Sequence, residues 1–132
     1  MKCVELNPAG NFDPWEPEKI NELQRKKISE SVGELIFEND DLRLWDISLW
    51  PKERLPFRRQ NNTYSWTSLT DGLAVSRYVN GQITLIHFKK GDTNFVEFPK
   101  NNAINDLENI GDNILKINVL EYKSAIYLKK VM

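Results

Sequence analysis

The sequence predicts an all-β domain, a sandwich or barrel, preceded by one N-terminal helix. Beyond residue 33, apolar and polar residues alternate loosely in short runs, which is the period of a half-buried strand. Turn residues separate these runs, and the pair Asn80 and Gly81 between two of them is typical of a β-hairpin. No later segment is long enough for the helical crossovers of a parallel sheet, so we expect antiparallel strands.

The predicted strands follow the runs in order along the chain. Turn residues such as Gly72 and Gly91 close them, and several short strands at such spacing favour a sandwich or barrel. The strands are expected at residues 35–38, 42–50, 63–69, 73–79, 82–88, 95–98, 104–107 and 114–122.

The predicted helix covers residues 13–31. Asp13 precedes Pro14 and Glu16, which is the pattern of an N-cap, a first-turn proline and a capping box. Gly33 is predicted as the C-terminal stop of this helix. Its apolar stripe is thin, which favours a surface brace over a partner-binding helix.

The organisation predicted from these elements is one domain in two parts. Residues 1–33 form an N-terminal helical extension and residues 34–132 form the barrel. A chain of 132 residues is near the usual size of a single domain and can bury a sizeable core.

Charge and cysteine content exclude several classes of function. The formal net charge is −1, so the chain lacks the basic excess of a nucleic-acid binder or of a polybasic membrane patch. Cys3 is the only cysteine, which excludes an internal disulfide and favours the reducing cytosol. With no signal peptide and no apolar run of about 20 residues in the sequence, we expect a cytoplasmic protein without a membrane partner.

The residue types that usually carry chemistry are scarce. His87 is the only histidine, and it lies in a predicted strand, where a core or edge role is favoured over a catalytic one. The glycines stand singly, so no phosphate-binding loop is predicted, and no serine lies in a nucleophile elbow.

Residues 51–72 resemble the first conserved motif of the cupin family. In that motif a proline-glycine turn precedes two histidines two residues apart, and a strand then ends in a glycine turn. The closing Leu69, Thr70, Asp71 and Gly72, with residues 38–44 before the motif, are similar to small bacterial cupins of the β-alanine-degradation type.

The second cupin motif is present in outline. Gly91 and Asp92 open it, residues 95–98 supply its strand, and Pro99 follows. With the turn at residues 109–112, the resemblance covers about residues 34–122. It implies a jelly-roll barrel, the double-stranded β-helix. It also favours a homodimer, in whose interface Trp15 or Trp50 could lie.

The departures from the family pattern bear on function. Arg58 and Gln60 stand where metal-binding cupins place the paired histidines, Tyr64 replaces a common glutamate, and Asn105 (or Ile104 in a shifted register) replaces the last histidine. Arginine has no lone pair to offer a cation, and neutral amides are weak ligands for transition metals. We therefore expect the fold without the metal chemistry: no cofactor and no metal-dependent dioxygenase. A site for a harder ion built from Asp46, Glu97 or Glu121 remains an alternative.

A ligand site is predicted in place of the metal site. If Arg58 and Gln60 face the lumen, Tyr64 and Trp66 do so as well, because alternate residues of a barrel strand point inward. Together with Asn105 they suit a small polar or anionic ligand. The alternative is that Arg58 pairs with an acid such as Asp46 and plugs the barrel.

Three functions follow from these residues. The first is metal-free binding of a small polar or anionic molecule in the barrel. The second is a metal-independent isomerase or lyase in which Tyr64 or His87 transfers a proton. The third is a structural protein whose barrel is filled by its own side chains.

Overall fold

The computed structural model of the chain describes residues 1–25, 28–97 and 103–123. Within these ranges it contains one helix and ten strands. Their bounds are β1 Lys2–Asn7, α1 Pro17–Gln24, β2 Glu34–Glu38, β3 Leu42–Leu49, β4 Arg54–Gln60, β5 Tyr64–Ser68, β6 Gly72–Arg77, β7 Ile83–Phe88, β8 Thr93–Val96, β9 Ala103–Asn109 and β10 Leu115–Tyr122.

The strands form two five-stranded antiparallel sheets. Sheet A has the order β1-β7-β6-β9-β4, and sheet B has the order β2-β3-β10-β5-β8. Successive strands such as β4 and β5 lie in different sheets, so the chain winds back and forth between the layers. The predicted all-β fold is confirmed. The predicted hairpin is confirmed as well: β6 and β7 pair antiparallel, and the turn between them contains Gly81 with a φ of +97°.

The main core lies between the two sheets. Inward-facing apolar side chains from both layers build one cluster, which includes Trp45, Ile47, Ile86, Phe88, Ile117 and Val119. Each such side chain contributes roughly 1.5–3 kcal/mol when it is fully buried. This cluster holds the two layers together and forms part of the cavity described below.

The N-terminal segment covers the outer face of sheet A. Trp15 stacks on Phe57 of β4 with ring centroids 6.0 Å apart, and its indole N–H donates to the carbonyl of Gly81 at 2.8 Å. Ile20 and Leu23 of α1 pack on the same cluster. The helix therefore braces the sheet, as its thin apolar stripe indicated.

The helix is shorter than predicted. It spans Pro17–Gln24 with Glu16 as N-cap residue, so Pro17, not Pro14, occupies the first turn. The capping box at Asp13 is wrong because residues 12–15 form a turn that carries Trp15 into the cluster. Beyond residues 26 and 27, which lie outside the described ranges, the chain is extended and Ser29 bridges to β4.

Gly33 does not end the helix, so the predicted C-terminal stop at this residue is also wrong. It leads into β2 with a φ of +113°, a conformation that side-chain-bearing residues rarely adopt. A Cβ atom at this position would clash with the main-chain oxygen of Asp46 on β3. The glycine is therefore required by the close approach of these two strands.

Two strands were missed by the periodicity. β1 pairs with β7 at one edge of sheet A, inside the segment predicted as a helical extension. β4 contains Pro56 and a bulge between Leu55 and Arg58, which interrupt the alternation. Proline is tolerated there because β4 is an edge strand.

Some predicted positions lie outside the described ranges. These are Phe98 and Pro99 of the second motif and residues 124–132 of the barrel. Among the residues that are described, no helix is long and apolar enough to cross a membrane.

Candidate functional site

A cavity of about 310 Å³ lies between the two sheets. All five residues predicted for the ligand site line this cavity, from three different strands. They are Arg58, Gln60, Tyr64, Trp66 and Asn105. The structure therefore brings together every side chain that the sequence placed in the lumen.

Strand register explains how these residues meet. Arg58 and Gln60 are two residues apart on β4, so both point to the inner face of sheet A. Asn105 of β9 is the register partner of Arg58, and Tyr78 forms a bridge to Asn105 from the other side. Tyr64 of β5 faces this row from sheet B, close enough for its phenol to act electrostatically on Arg58.

Arg58 is the most distinctive group of the site. Arg58 as a whole residue is only 6% exposed. One guanidinium nitrogen, Nη1, donates to the main-chain carbonyl of Asn105 at 3.2 Å, whereas Nε is buried without an acceptor among the described residues. No described carboxylate lies within ion-pair distance of the guanidinium.

The alternative in which Arg58 pairs with Asp46 is wrong. Asp46 does not line the cavity but lies beside Gly33 in a separate surface depression. Its carboxylate accepts a hydrogen bond from the hydroxyl of Ser48 at 2.8 Å. The buried guanidinium of Arg58 is therefore not neutralised by Asp46.

Burial shifts the pKa values of the groups around the cavity. It lowers the pKa of Arg58 to about 10, which leaves the guanidinium protonated at neutral pH. Burial raises the pKa of Tyr64, an effect that the charge of Arg58 opposes, and it raises the pKa of Tyr78 as well. Near neutrality this end of the cavity thus offers a cation and two protonated phenols.

Neutral polar side chains complete this end of the cavity. The amide of Asn105 donates to the hydroxyl of Ser76 at 3.0 Å, and that hydroxyl donates to the carbonyl of Asp106 at 2.6 Å. Gln60 is buried as well. These hydrogen bonds fix the orientation of Asn105 before any ligand arrives.

The opposite wall of the cavity is apolar. Trp66 meets Phe88 edge to face with ring centroids 5.5 Å apart. The remaining apolar lining comes from the main core and includes Ile47, Ile86, Leu107, Ile117 and Val119. The cavity therefore joins a charged polar end to an aromatic and aliphatic end.

The rim of the cavity lies at the two sheet edges. Cys3 of β1 and Asn94 of β8 line it, and both are exposed. β1 and β8 are edge strands of different sheets, and the ammonium group of Met1 beside β1 pairs with the carboxylate of Asp92 beside β8 at 2.7 Å. The single thiol of the chain thus belongs to an exposed residue on an edge strand that lines the cavity.

Several lining residues were missed by the sequence reasoning. Tyr78 and Ser76 lie two residues apart on one predicted strand, so a period of two could have assigned both to the lumen. Cys3 is carried by β1, a strand that no periodic signal marks.

The lining side chains do not fit a divalent cation. The guanidinium of Arg58 would repel such an ion, and its neighbours Gln60 and Asn105 offer only weak amide oxygens. Among the residues that the structure describes, no three side chains of histidine, cysteine, aspartate or glutamate are grouped as metal ligands.

The alternative cation site is also wrong. Asp46, Glu97 and Glu121 do not line the cavity and do not form a cluster in the described ranges. Glu121 is instead held by the indole N–H of Trp45 at 2.9 Å and by the amide of Asn62 at 2.7 Å.

His87 lies away from the cavity. It is exposed on β7, between two buried neighbours whose side chains point inward. Among the described residues that line the cavity, none is a histidine, aspartate or glutamate.

Comparisons with known proteins bear on the fold. No protein-family model and no curated protein matches the sequence. A cupin domain from Bordetella pertussis Tohama I matches with a TM-score of 0.62 and 14% identity, covering 74% of this chain and 98% of its own. An RmlC-like cupin family protein from Methanocaldococcus jannaschii with a double-stranded β-helix fold has a TM-score of 0.56 and 18% identity, covering 80% of this chain and 91% of its own.

A third solved structure extends the match over more of the chain. It is a cupin superfamily protein from Desulfitobacterium hafniense, with a TM-score of 0.52 and 14% identity, covering 89% of this chain and 99% of its own. At such identities the likeness concerns the fold alone. These matches, with two facing antiparallel sheets, establish that the chain has the cupin fold, a double-stranded β-helix.

Proposed function

We propose that this protein binds a small anionic molecule in the cavity between its sheets, with Arg58 pairing with the anion and without a metal ion. The observation that carries the proposal is the state of Arg58: buried, charged at neutral pH, and without a carboxylate partner among the described residues. An anion in the cavity would supply that partner.

Burial removes the guanidinium of Arg58 from water, and this desolvation is unfavourable. Removing a charge from water costs several kcal/mol unless a partner of opposite sign and further hydrogen bonds offset it. One hydrogen bond, from Nη1 of Arg58 to the carbonyl of Asn105, offsets only part of that cost. A bound anion would gain a charge-assisted hydrogen bond in a site already shielded from water.

Binding is favoured over catalysis by the other lining groups. Without a carboxylate or imidazole among the described lining residues, proton transfer beside Arg58 would fall to Tyr64 or Tyr78, since the thiol of Cys3 belongs to an exposed residue on edge strand β1. Burial raises the pKa of both phenols, so they are poor bases at neutral pH. The purely structural alternative is disfavoured by the cavity itself, since a filled barrel would leave no such space.

Other expectations stay predictions. These are the cytoplasmic location, the similarity to β-alanine-degradation-type bacterial cupins, and the homodimer without a nucleic-acid or membrane partner. Trp15 is buried inside the chain, so it does not serve as an interface residue, whereas Trp50 is 62% exposed. We therefore propose Trp50 for that interface.

Thermal unfolding in the presence of small anions tests the proposal. Acetate, benzoate, succinate and inorganic phosphate are titrated at constant ionic strength, because surface charges respond to salt alone. We expect a saturable rise in Tm for at least one anion. The rise disappears in Arg58→Met and persists in Arg59→Met, whose side chain does not line the cavity. Equal shifts in both variants, or no shift with any anion, would refute the proposal.

A further inference from the structure

The geometry points to the chemical class of the ligand: we infer a monocarboxylate with a compact apolar body, preferably aromatic. This inference rests on the proposed function and deepens it. It depends on three features of the cavity, namely the order of polar and apolar residues along its strands, its count of cationic side chains, and the hydrogen-bonding capacity of its apolar end.

The first feature appears in the register of sheet A. Tyr78, which directly follows β6, lies in one row with Asn105 of β9 and Arg58 of β4. Two residues further along β9 the lining residue is Leu107, which is the register partner of Leu55 on β4. The residues that line the cavity on β9 therefore change from polar to apolar between Asn105 and Leu107.

Strand β7 continues the same order. Ile86 pairs with Ala74, four residues before Tyr78 on β6, so it lies away from the row that contains Arg58. Phe88 pairs with Gly72 and lies further still. The lining of sheet A is thus polar at the Arg58 end and apolar at the Phe88 end.

Strand β5 of sheet B shows the same order on the facing layer, because Tyr64 lies near Arg58 whereas Trp66 contacts Phe88 across the sandwich. Edge strand β8 has the reverse order, since its lining residues Val96 and Asn94 pair with Tyr64 and Trp66, respectively. Away from that edge the cavity therefore fits a molecule with one anionic end and one hydrophobic end.

The second feature is the charge of the lining. Arg58 is the one cationic side chain among the described residues that line the cavity, and the α-ammonium group of Met1, which also lines it, is already paired with the carboxylate of Asp92 at 2.7 Å. One guanidinium neutralises one negative charge. A phosphate dianion or a dicarboxylate would leave an additional charge buried at high cost. A carboxylate also matches the planar fork of a guanidinium.

The third feature is the apolar end itself. Trp66, Phe88 and Ile117 offer no acceptors for hydroxyl groups apart from the aromatic faces, and the amide at this level, that of Asn94, belongs to an exposed residue of edge strand β8. A sugar or other polyol placed there would bury unpaired hydroxyls, which costs about 1–3 kcal/mol for each group. An aromatic ring has no hydroxyl group that would lose a hydrogen bond there, and it can pack edge to face or offset against the indole of Trp66.

Calorimetric titration with matched probes tests this inference. The probes are benzoate, its neutral isostere benzamide, succinate and inorganic phosphate, all at the same ionic strength. We expect benzoate to bind tightest and benzamide to bind about 10–100-fold more weakly, the range expected for loss of a charge-assisted hydrogen bond. Trp66→Leu should weaken benzoate binding by about 10-fold, and Phe37→Leu, which alters an exposed aromatic residue outside the cavity, should not.

The thiol at the rim provides a second measurement. Cys3 is the only cysteine of the chain, and it lines the cavity. Saturating benzoate should slow its alkylation by iodoacetamide in the wild type and leave the rate unchanged in Arg58→Met. A cooperative urea transition of Arg58→Met separates a correctly folded variant that has lost binding from one that does not fold.

Each outcome supports or overturns the inference. If phosphate or succinate binds more tightly than benzoate and requires Arg58, anion binding stands but the monocarboxylate class is wrong. If benzamide equals benzoate, or Arg58→Met binds benzoate as well as the wild type does, both proposals fail. If no probe binds more tightly than about 1 mM, both fail as well.

Discussion

The carboxylate of Asp106 lies 2.7 Å from Nε of Arg54, in a completely buried position on the outer face of sheet A. The same carboxylate lies 2.9 Å from Nη1 of Arg77. Arg54 in turn contacts Glu22 of α1 at 2.8 Å, which ties the helix to the sheet. One residue earlier on β9, Asn105 faces the cavity beside Arg58. The two faces of the sheet therefore differ, since Arg54 and Arg77 are paired with acids and Arg58 is not.

Replacing Asp106 should destabilise the fold strongly. In Asp106→Asn the partly buried guanidinium groups of Arg54 and Arg77 lose the fully buried counter-charge that they share. Removing one partner from a buried ion pair costs about 3–5 kcal/mol. Urea unfolding measures this loss, and Glu16→Gln, which breaks the exposed pair with Lys19, is the control with no expected change. Equal midpoints for both variants would contradict the role of Asp106.

Replacing Arg58 should have the opposite effect on the free protein. Arg58→Met removes a desolvated charge and keeps an apolar stem of similar length, so we expect the free energy of unfolding to rise by about 1–4 kcal/mol without ligand. The gain in stability accompanies the loss of anion binding. A lower midpoint in urea than that of the wild type would indicate that an intramolecular partner neutralises Arg58.

Alkaline pH should weaken the fold of Arg58→Met through the two buried phenols, a background chosen because deprotonation of Arg58, whose pKa is lowered to about 10, acts in the opposite direction in the wild type. Burial raises the pKa of Tyr64 and of Tyr78 above that of an unfolded tyrosine. Their protonated forms therefore contribute stability that is complete below about pH 10 and is lost as pH rises through the folded pKa values. Phenolate absorbance follows this titration. Tyr64→Phe should remove from the absorbance titration a phenol that ionises above pH 10. If the phenol that disappears instead ionises at the ordinary pKa of tyrosine, the burial of Tyr64 is contradicted.

Gly33 should be intolerant of a side chain. In Gly33→Ala the new Cβ clashes with the main chain of Asp46, and the backbone must keep a positive φ. We expect a loss of more than about 1 kcal/mol. Gly10→Ala is a matched control, because Gly10 also has a positive φ but its Cβ would meet nothing within 4 Å. Equal losses for the two variants would show that φ alone accounts for the effect.

The parts of the fold that follow a simple period could be predicted from the sequence. Strands from β5 to β7 alternate and end in turns at Gly72 and Gly81, so their bounds were expected within one or two residues. β4 could not be predicted this way, because Pro56 and the bulge before Arg58 break the period.

The limits of the helix depended on tertiary contacts. Trp15 is buried against Phe57, a contact far apart in sequence, and this contact overrides the local capping signal at Asp13. For the same reason the pattern could not reveal Gly33 as a point of close strand approach, since the atom it avoids belongs to Asp46.

The candidate site was predictable in its residues but not in its energetics. Arg58, Gln60 and Asn105 were identified by resemblance to a motif, and strand alternation added Tyr64 and Trp66. That the guanidinium lacks a carboxylate partner depends on where Asp46 and Asp106 lie, which only the three-dimensional structure reveals.

The most direct test of anion binding at Arg58 is a crystal structure grown with 4-bromobenzoate, using the anomalous signal of bromine. The account predicts the carboxylate within hydrogen-bond distance of the Arg58 guanidinium and the bromine beside Trp66 and Phe88. An empty cavity at saturating probe, or a guanidinium turned away toward solvent or toward a protein carboxylate, would contradict it.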